Sequence, residues 1–182
     1  RGGAGFPTYF KWKMVANQES EVRYLICNGD EGDPGAFMDR MLLESYPLRI
    51  IEGILIAAFT IKASKGFFYI RAEYSLAVQR VKSALEIARQ RGYLGENILD
   101  SGFDFDIEVV EGAGAFVCGE ETALISSCEG IRGDPKNRPP FPAQKGYLDT
   151  PTLVNNVETF DCVVHIMERG AGWFASIGSR DS

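Results

Sequence analysis

The sequence predicts an α/β fold of doubly wound type, a Rossmann-like parallel sheet with helices against both faces. Three observations lead there. Short apolar, β-branched runs alternate along the chain with longer segments of helical periodicity, the pattern of successive β-α-β units. The strand-like runs are apolar throughout, as expected where both faces of a sheet are covered. The chain has 182 residues, 45% hydrophobic and 24% charged, the size and composition of one globular domain with a substantial core.

Taken in order, Pro7 is well placed to start a helical turn after the glycines of the first five residues. Val22 to Cys27 (VRYLIC) reads as a buried strand and Asn28 to Gly35 (NGDEGDPG) as loop. A helical region begins at Asp39, and Pro47 restarts it as a long helix to about Lys62. Gly66 to Arg71 (GFFYIR) is a second strand. Between Tyr74 and Arg91, Ala77, Val81, Ala84, Leu85 and Ala88 make one apolar helical stripe, with Gly92 placed as the C-cap glycine. Asp106 to Glu111 (DIEVVE) is the third strand, followed by a glycine-rich loop to Gly119 and a short helix from Glu120 to about Glu129. The proline-rich segment Ile131 to Lys145 is irregular, and a last helix runs from Asn155 to Arg169.

Charge narrows the function. With 19 Lys+Arg against 25 Asp+Glu, the net charge is −6, which speaks against non-specific nucleic-acid binding yet leaves room for a local basic pocket. The four cysteines contain no Cys-x-x-Cys, so no zinc or iron–sulfur ligand set is written here, no metal is expected, and a reducing, cytoplasmic compartment is the natural reading. The most apolar stretch, Ile50 to Ile61, is broken by Glu52 and falls short of the roughly 20 residues of a bilayer span. The start at Arg-Gly-Gly, without Met, reads as a piece of a longer or processed chain.

In a doubly wound sheet, ligands bind at loops leaving the carboxyl ends of the strands. Two loops of unusual composition follow strands directly, NGDEGDPG and GAGAFVCGEE, and a third, RGGAGF, opens the chain. Closely spaced glycines let a backbone approach a phosphate or flat ring, and Arg1 adds a guanidinium. Neither glycine loop fits a known template: Thr8 replaces the third glycine of a dinucleotide fingerprint, and Glu120 stands where a P-loop has Lys. The carboxylates of the second loop suit hydroxyl donors of a ribose or polyol, or a solvated acidic turn, but break EF-hand order after Asp30. Glu120 and Glu121 sit at a helix start, where negative charge is favoured. Cys118 lies just before that helix. Its only possible imidazole base, His165, falls within VVHIM and reads as a satisfied core histidine. Phe6, Trp12, Phe116 and Phe141 lie in or beside loops, placed for stacking or for the core.

Together, RGGAGFPT, NGDEGDPGAFMDR, GAGAFVCGEETAL, RPPFPA and PTLVNNVETF resemble the NADH-binding flavoprotein subunit family of respiratory complex I, NAD(P)-linked hydrogenases and NAD-dependent formate dehydrogenases. The wording of the second motif looks most like the hydrogenase branch, electron-bifurcating and NADP-reducing types included. The resemblance implies hydride transfer between NAD(P)H and FMN, with one-electron hand-off to iron–sulfur centres of a larger complex. It places Arg1, Gly2, Gly3 and Lys11 around the flavin phosphate and ring edge, and Asn28, Asp30 and Glu31 on the ribityl chain and ring. Gly119, Glu120, Asn155 and Asn156 complete the flavin cradle. Phe6 and Phe141 would sandwich the adenine end of the nicotinamide cofactor, with Asp33, Glu121 and Arg138 around its ribose and phosphates. Glu31 and Glu120 are then orienting groups at the reaction centre, since hydride transfer needs no side-chain acid or base.

Other consequences of the resemblance concern the wider protein. Residues 1–165 would form the FMN- and NAD(P)H-binding domain, and 166–182 would begin the connection to a ubiquitin-like domain. The ligands of the family's 4Fe–4S centre are absent from this chain, so electrons would leave through partners, among them a thioredoxin-like 2Fe–2S subunit. No nucleic acid or direct membrane insertion is expected. The chain departs from the family at Tyr9 and Phe10 (usually Gly and Leu), at Met14 near an expected aromatic, at Asp33 (often Glu) and at Phe116 (often Tyr). NAD(H) is expected, with NADP(H) possible through Arg138. A non-catalytic nucleotide-binding or assembly module of the same fold, and a Cys118-dependent hydrolase, are the competing readings.

Overall fold

A computed structural model of the chain describes residues 5–112 and 116–178. A short helix, α1 (Thr8–Ala16), precedes the first strand, β1 (Tyr24–Gly29); α2 (Met38–Ser45) and α3 (Pro47–Ile61) then lead to β2 (Lys65–Arg71). Helix α4 (Ser75–Gln90) connects to β3 (Ile107–Gly112), and α5 (Glu121–Cys128) lies on the way to β4 (Thr152–Asn156). Two helices, α6 (Val157–Arg169) and α7 (Ala171–Ile177), follow. The four strands form one sheet in the order β3-β2-β1-β4, every pair parallel.

That order explains where the helices lie. Parallel crossovers are right-handed, so stepping outward from β1 to β2 to β3 puts the connecting helices on one face. Stepping back past β1 to β4 puts α5 on the other, and the direction reverses between β1 and β4. Side chains alternate accordingly. Leu25, Cys27, Phe68, Ile70, Ile107 and Leu153 join the cluster built with α2, α3 and α4, whereas Ile26, Phe67, Tyr69 and Val154 pack with Leu124 and Ile125 of α5. Helix α6 returns to the first face, where Gly53 of α3 lies directly against the backbone of Phe160. The doubly wound class holds, with unequal cover: five helices supply the first cluster, and one helix plus loops supply the second.

The α4 stripe from Ala77 to Ala88 is buried as its periodicity requires. Gly92 has a φ of 71°, and the Tyr93 N–H reaches back to the Ala88 carbonyl at 2.8 Å, closing the helix as a glycine C-cap does. Three expectations change. β1 extends to Gly29, so Asn28 is strand rather than loop. The expected helix start at Asn155 is the end of an unanticipated strand, β4, with α6 starting at Val157. His165 is partly exposed among Arg49, Asp161 and Glu168 rather than sunk in the core, because its face of α6 meets the charged start of α3.

Candidate functional site

The reversal between β1 and β4 leaves a crevice at the carboxyl ends of these strands, the position where open α/β sheets bind ligands. Here Asn28 pairs in register with Asn156, and Cys27 with Asn155. A cavity of about 730 Å³ opens at this point. Asn28 and Asn155 serve as structural ties as well as lining. Asn28 Nδ2 donates to the Gly119 carbonyl (3.2 Å), joining β1 to the end of the glycine-rich loop, while its Oδ1 accepts from the Asp30 N–H (3.0 Å). Trp12 Nε1 donates to Asn155 Oδ1 (2.9 Å), docking α1 onto β4.

Charge is arranged as an alternating row. Lys11 Nζ donates to the Val154 carbonyl and to Glu121, both at 3.1 Å. Arg138 Nη1 lies 3.2 Å from the other Glu121 oxygen, and its Nη2 pairs closely with Glu120. Glu120 is also the N-cap of α5: its second oxygen accepts from the N–H groups of Thr122 (2.9 Å) and Ala123 (3.0 Å) and from the Thr122 hydroxyl. Burial alone would raise the Glu120 pKa, but the Thr122 hydroxyl, the Ala123 amide, the Arg138 charge and the Thr122 amide outweigh it and hold the carboxyl below its ordinary value. Two cations and two carboxylates thus alternate along the row, which carries no formal charge in total. Phe6 and Phe141, 44% and 45% exposed, offer apolar faces on the same cavity.

Of the residues expected from sequence, Phe6, Lys11, Asn28, Gly119, Glu120, Glu121, Arg138, Phe141, Asn155 and Asn156 line this one cavity. Arg1, Gly2 and Gly3 lie outside the described residues. Asp30, Glu31 and Asp33 are placed differently. Glu31 turns its carboxylate onto the start of α2, accepting from Met38 (2.9 Å), Asp39 (3.3 Å) and Arg40 (3.3 Å), because that helix has no cap of its own. Asp33 is exposed on the loop. Asp30 lies beneath Gly119, its side chain 2% exposed and its Oδ2 without a hydrogen-bond partner. Burial raises its pKa, Arg71 opposes the rise, and Glu73 adds to it.

The cavity is also lined by Pro142, Ala143, Thr152 and Val154, which sequence reasoning did not assign to it, and by Met14, which stands near the aromatic the family resemblance expects. Recognising β4 would have supplied two of them, since Thr152, Val154 and Asn156 share one face by strand alternation. Met14 follows Lys11 by one helical turn. Cys118 is buried beside Tyr69 and Gly133, while His165 keeps its charged neighbours on α6, and no hydrogen bond joins the two among the described residues. No group of three His, Cys, Asp or Glu able to hold a metal ion occurs among the described residues. No helix among them is long and apolar enough to cross a membrane.

A parallel sheet whose reversal point opens on a cavity of paired charges, amides and aromatic faces defines a nucleotide-binding α/β domain. The chain belongs to the Nuo51 FMN-binding domain family, whose model matches residues 1–165. It is 56% identical over its whole length to the NADP-reducing hydrogenase subunit HndC of Solidesulfovibrio fructosivorans, covering 37% of that protein. It is 51% identical to an NADH-quinone oxidoreductase subunit of Aquifex aeolicus, over all of this chain and 42% of that protein. Among solved structures, an NAD+-reducing NiFe-hydrogenase in the H2-reduced state superposes with a TM-score of 0.91 at 44% identity, over all of this chain and 30% of that one. The chain thus spans less than half the length of each of these relatives.

Proposed function

We propose that this chain is the FMN- and NAD(P)H-binding part of an electron-input subunit, exchanging a hydride between nicotinamide and flavin and passing electrons singly to iron–sulfur centres of a larger complex. The observation that carries this reading is the cavity at the β1/β4 reversal, whose volume of about 730 Å³ lies within the usual range for cofactor sites. The residues present fit the group. Asp30 Oδ2 is a buried acceptor without a partner next to Gly119, suited to an O–H or N–H of a ribityl chain or flavin ring. Asn28, Asn155 and Asn156 add amides at the strand ends, and Phe6 and Phe141 supply faces for a purine. Arg1, Gly2, Gly3 and Lys11 are assigned to the flavin phosphate and ring edge by family resemblance.

Bound FMN supplies the hydride chemistry and the conversion from paired to single electrons. The chain's own groups hold and orient. Glu120 fixes Arg138, and Arg138 with Lys11 brackets Glu121, so the cavity wall is set before any ligand arrives. Glu31 acts at one remove, by tying the loop after β1 to α2. Because Arg138 is already shared by two carboxylates, a 2′-phosphate must compete for it, which favours NAD(H) over NADP(H). Asp33, exposed near this region in sequence, is assigned with Glu121 to the ribose side.

Partners follow from the same reading: other subunits of a redox complex, with a thioredoxin-like 2Fe–2S protein as immediate acceptor and a cytoplasmic setting. Residues 1–165 constitute the cofactor domain, and 166–182 lead on to a ubiquitin-like domain. Anaerobic absorption spectroscopy of the chain with FMN, titrated with NADH and with NADPH, tests the proposal. Bleaching of bound flavin, more readily with NADH, is expected. Flavin bound but unbleached by either nucleotide favours a non-catalytic module.

A further inference from the structure

Arg71, at the end of β2, is not part of the cavity lining, yet its guanidinium reaches across to the loop that leaves β1. Its Nη1 donates to the Glu31 carbonyl (3.1 Å), its Nε lies 3.6 Å from Asp30 Oδ1, and its Nη2 lies 2.9 Å from Glu73. The side chain is 15% exposed and lies over the Tyr74 ring, 5.8 Å from its centre, while the Tyr74 hydroxyl donates to the same Glu31 carbonyl at 3.0 Å. The guanidinium therefore hydrogen-bonds the Glu31 backbone and lies within ion-pair range of the Asp30 carboxylate, with its own Nε left without a hydrogen-bond partner. What it leaves over is Asp30 Oδ2, buried, unpaired and next to Gly119, which lines the cavity.

We propose that Arg71 is a positioning residue for Asp30, which lies beneath Gly119 just outside the cavity lining, and that it sets the free oxygen of an ionised Asp30 toward a hydrogen-bond donor on the flavin. This rests on the flavin reading given above. The geometry favours a guided acceptor over a merely structural ion pair. A pair formed only for stability would close on itself, since buried polar atoms without partners are costly, whereas here Asp30 Oδ2 and the Arg71 Nε beside the carboxylate both lack a hydrogen-bond partner. Lysine could not substitute, because one ammonium cannot reach Asp30, the Glu31 carbonyl and Glu73 together.

The surroundings of Asp30 bear on how this is tested. Arg71 faces it from the end of β2, Glu73 from the turn just after, and Tyr69 from within β2. Glu31 in its own loop directs its carboxylate to α2, and Glu120 beyond Gly119 directs its own to α5 and Arg138. Arg71 is thus the only cation acting on Asp30 among the described residues.

The experiment has two readouts on the full chain and its Arg71→Gln, Arg71→Lys, Tyr74→Phe and Asp30→Asn variants. Isotope-edited infrared spectroscopy without flavin follows protonation of Asp30, identified by its loss in Asp30→Asn. Fluorescence quenching gives the FMN dissociation constant from pH 4 to pH 8. In Arg71→Gln the Asp30 midpoint should rise by roughly one to three pH units, and the acid limb of FMN binding should move with it. Arg71→Lys should leave the midpoint near its original place while weakening FMN at every pH, separating the fork from the charge. An Asp30 midpoint unmoved in Arg71→Gln overturns the proposal. So does an Arg71→Gln effect on FMN that is the same at all pH values and matches Tyr74→Phe. Failure of the unaltered chain to bind FMN would count against the proposed function alone, because the infrared titration is read without flavin.

Discussion

The two faces of the sheet are built for different ends. On the face covered by α2, α3, α4 and α6, contacts are close and almost wholly apolar, down to a glycine of α3 in contact with the α6 backbone. The opposite face carries one eight-residue helix, a Tyr69–Ser127 hydrogen bond at 2.9 Å, a proline-rich segment with cis bonds at Arg138–Pro139 and Pro139–Pro140, and the cavity. The first face supplies most of the burial that holds the fold, and the second gives up burial to leave room and polar groups for a ligand. Stability and binding should therefore separate under mutation.

The largest effect expected is on the first face and depends on pH. Asp39 of α2 is 6% exposed, and burial foremost, then the charges of Glu31 and Glu158, against a Glu158 backbone hydrogen bond, push its pKa up to about 7. The folded state therefore prefers neutral Asp39. Its contribution is complete below about pH 4, where the unfolded chain is also protonated, and is lost as pH rises to about 7. Asp39→Asn should abolish that loss, stabilising the chain at pH 8 by up to about 4 kcal/mol relative to its effect at pH 4. Urea unfolding at the two pH values checks this, and an unchanged pH dependence would refute it.

Next is Gly53→Val, whose side chain would collide with the Phe160 backbone, an atom set that cannot swing aside. A loss of about 3 kcal/mol is expected, with FMN affinity of the folded fraction kept. A parallel fall in affinity would mean that the two faces are not separable. Smaller again is Glu120→Ala on the cavity side. Removing the α5 cap should cost about 1 kcal/mol, and releasing Arg138 should weaken nucleotide binding beyond what that loss explains. Calorimetry beside an NADH titration distinguishes the two contributions. The least is Glu121→Gln, which frees Lys11 and Arg138 for a phosphate and should raise the NADPH/NADH ratio of kcat/KM by roughly fivefold, the scale of a partly exposed ion pair. An unchanged ratio removes Glu121 from nucleotide choice.

How far the sequence disclosed all this follows the same division. The first face was legible because its signals are local: the α4 stripe, the Pro47 restart and the apolar runs from Val22 and Gly66 can each be detected within a short window. β4 was hidden because its last residues, Asn155 and Asn156, are poor strand formers placed just before a helix; only pairing with β1 makes them strand. The site was legible as motifs and less so as geometry. Glu31 and Glu120 look equivalent in sequence, each an acid in a glycine-bearing loop. Glu31 spends both oxygens on the start of α2, whereas Glu120 caps α5 with one and keeps the other for Arg138. Arg71 gave no signal at all, since it ends a strand like any other and acquires its partners only across the sheet.

The pairing of β1 with β4 also bears on the order in which the molecule can be made. The bonds that join α1 to this strand, Lys11 to Val154 and Trp12 to Asn155, each span 143 positions. During synthesis β1, β2 and β3 can meet while the chain is still emerging, but β1 keeps one bare edge until β4 is released, and such late closures are slow. The crevice comes into being only with that last strand. A chain that holds a ligand in that crevice has, by that fact, already paired β4 with β1.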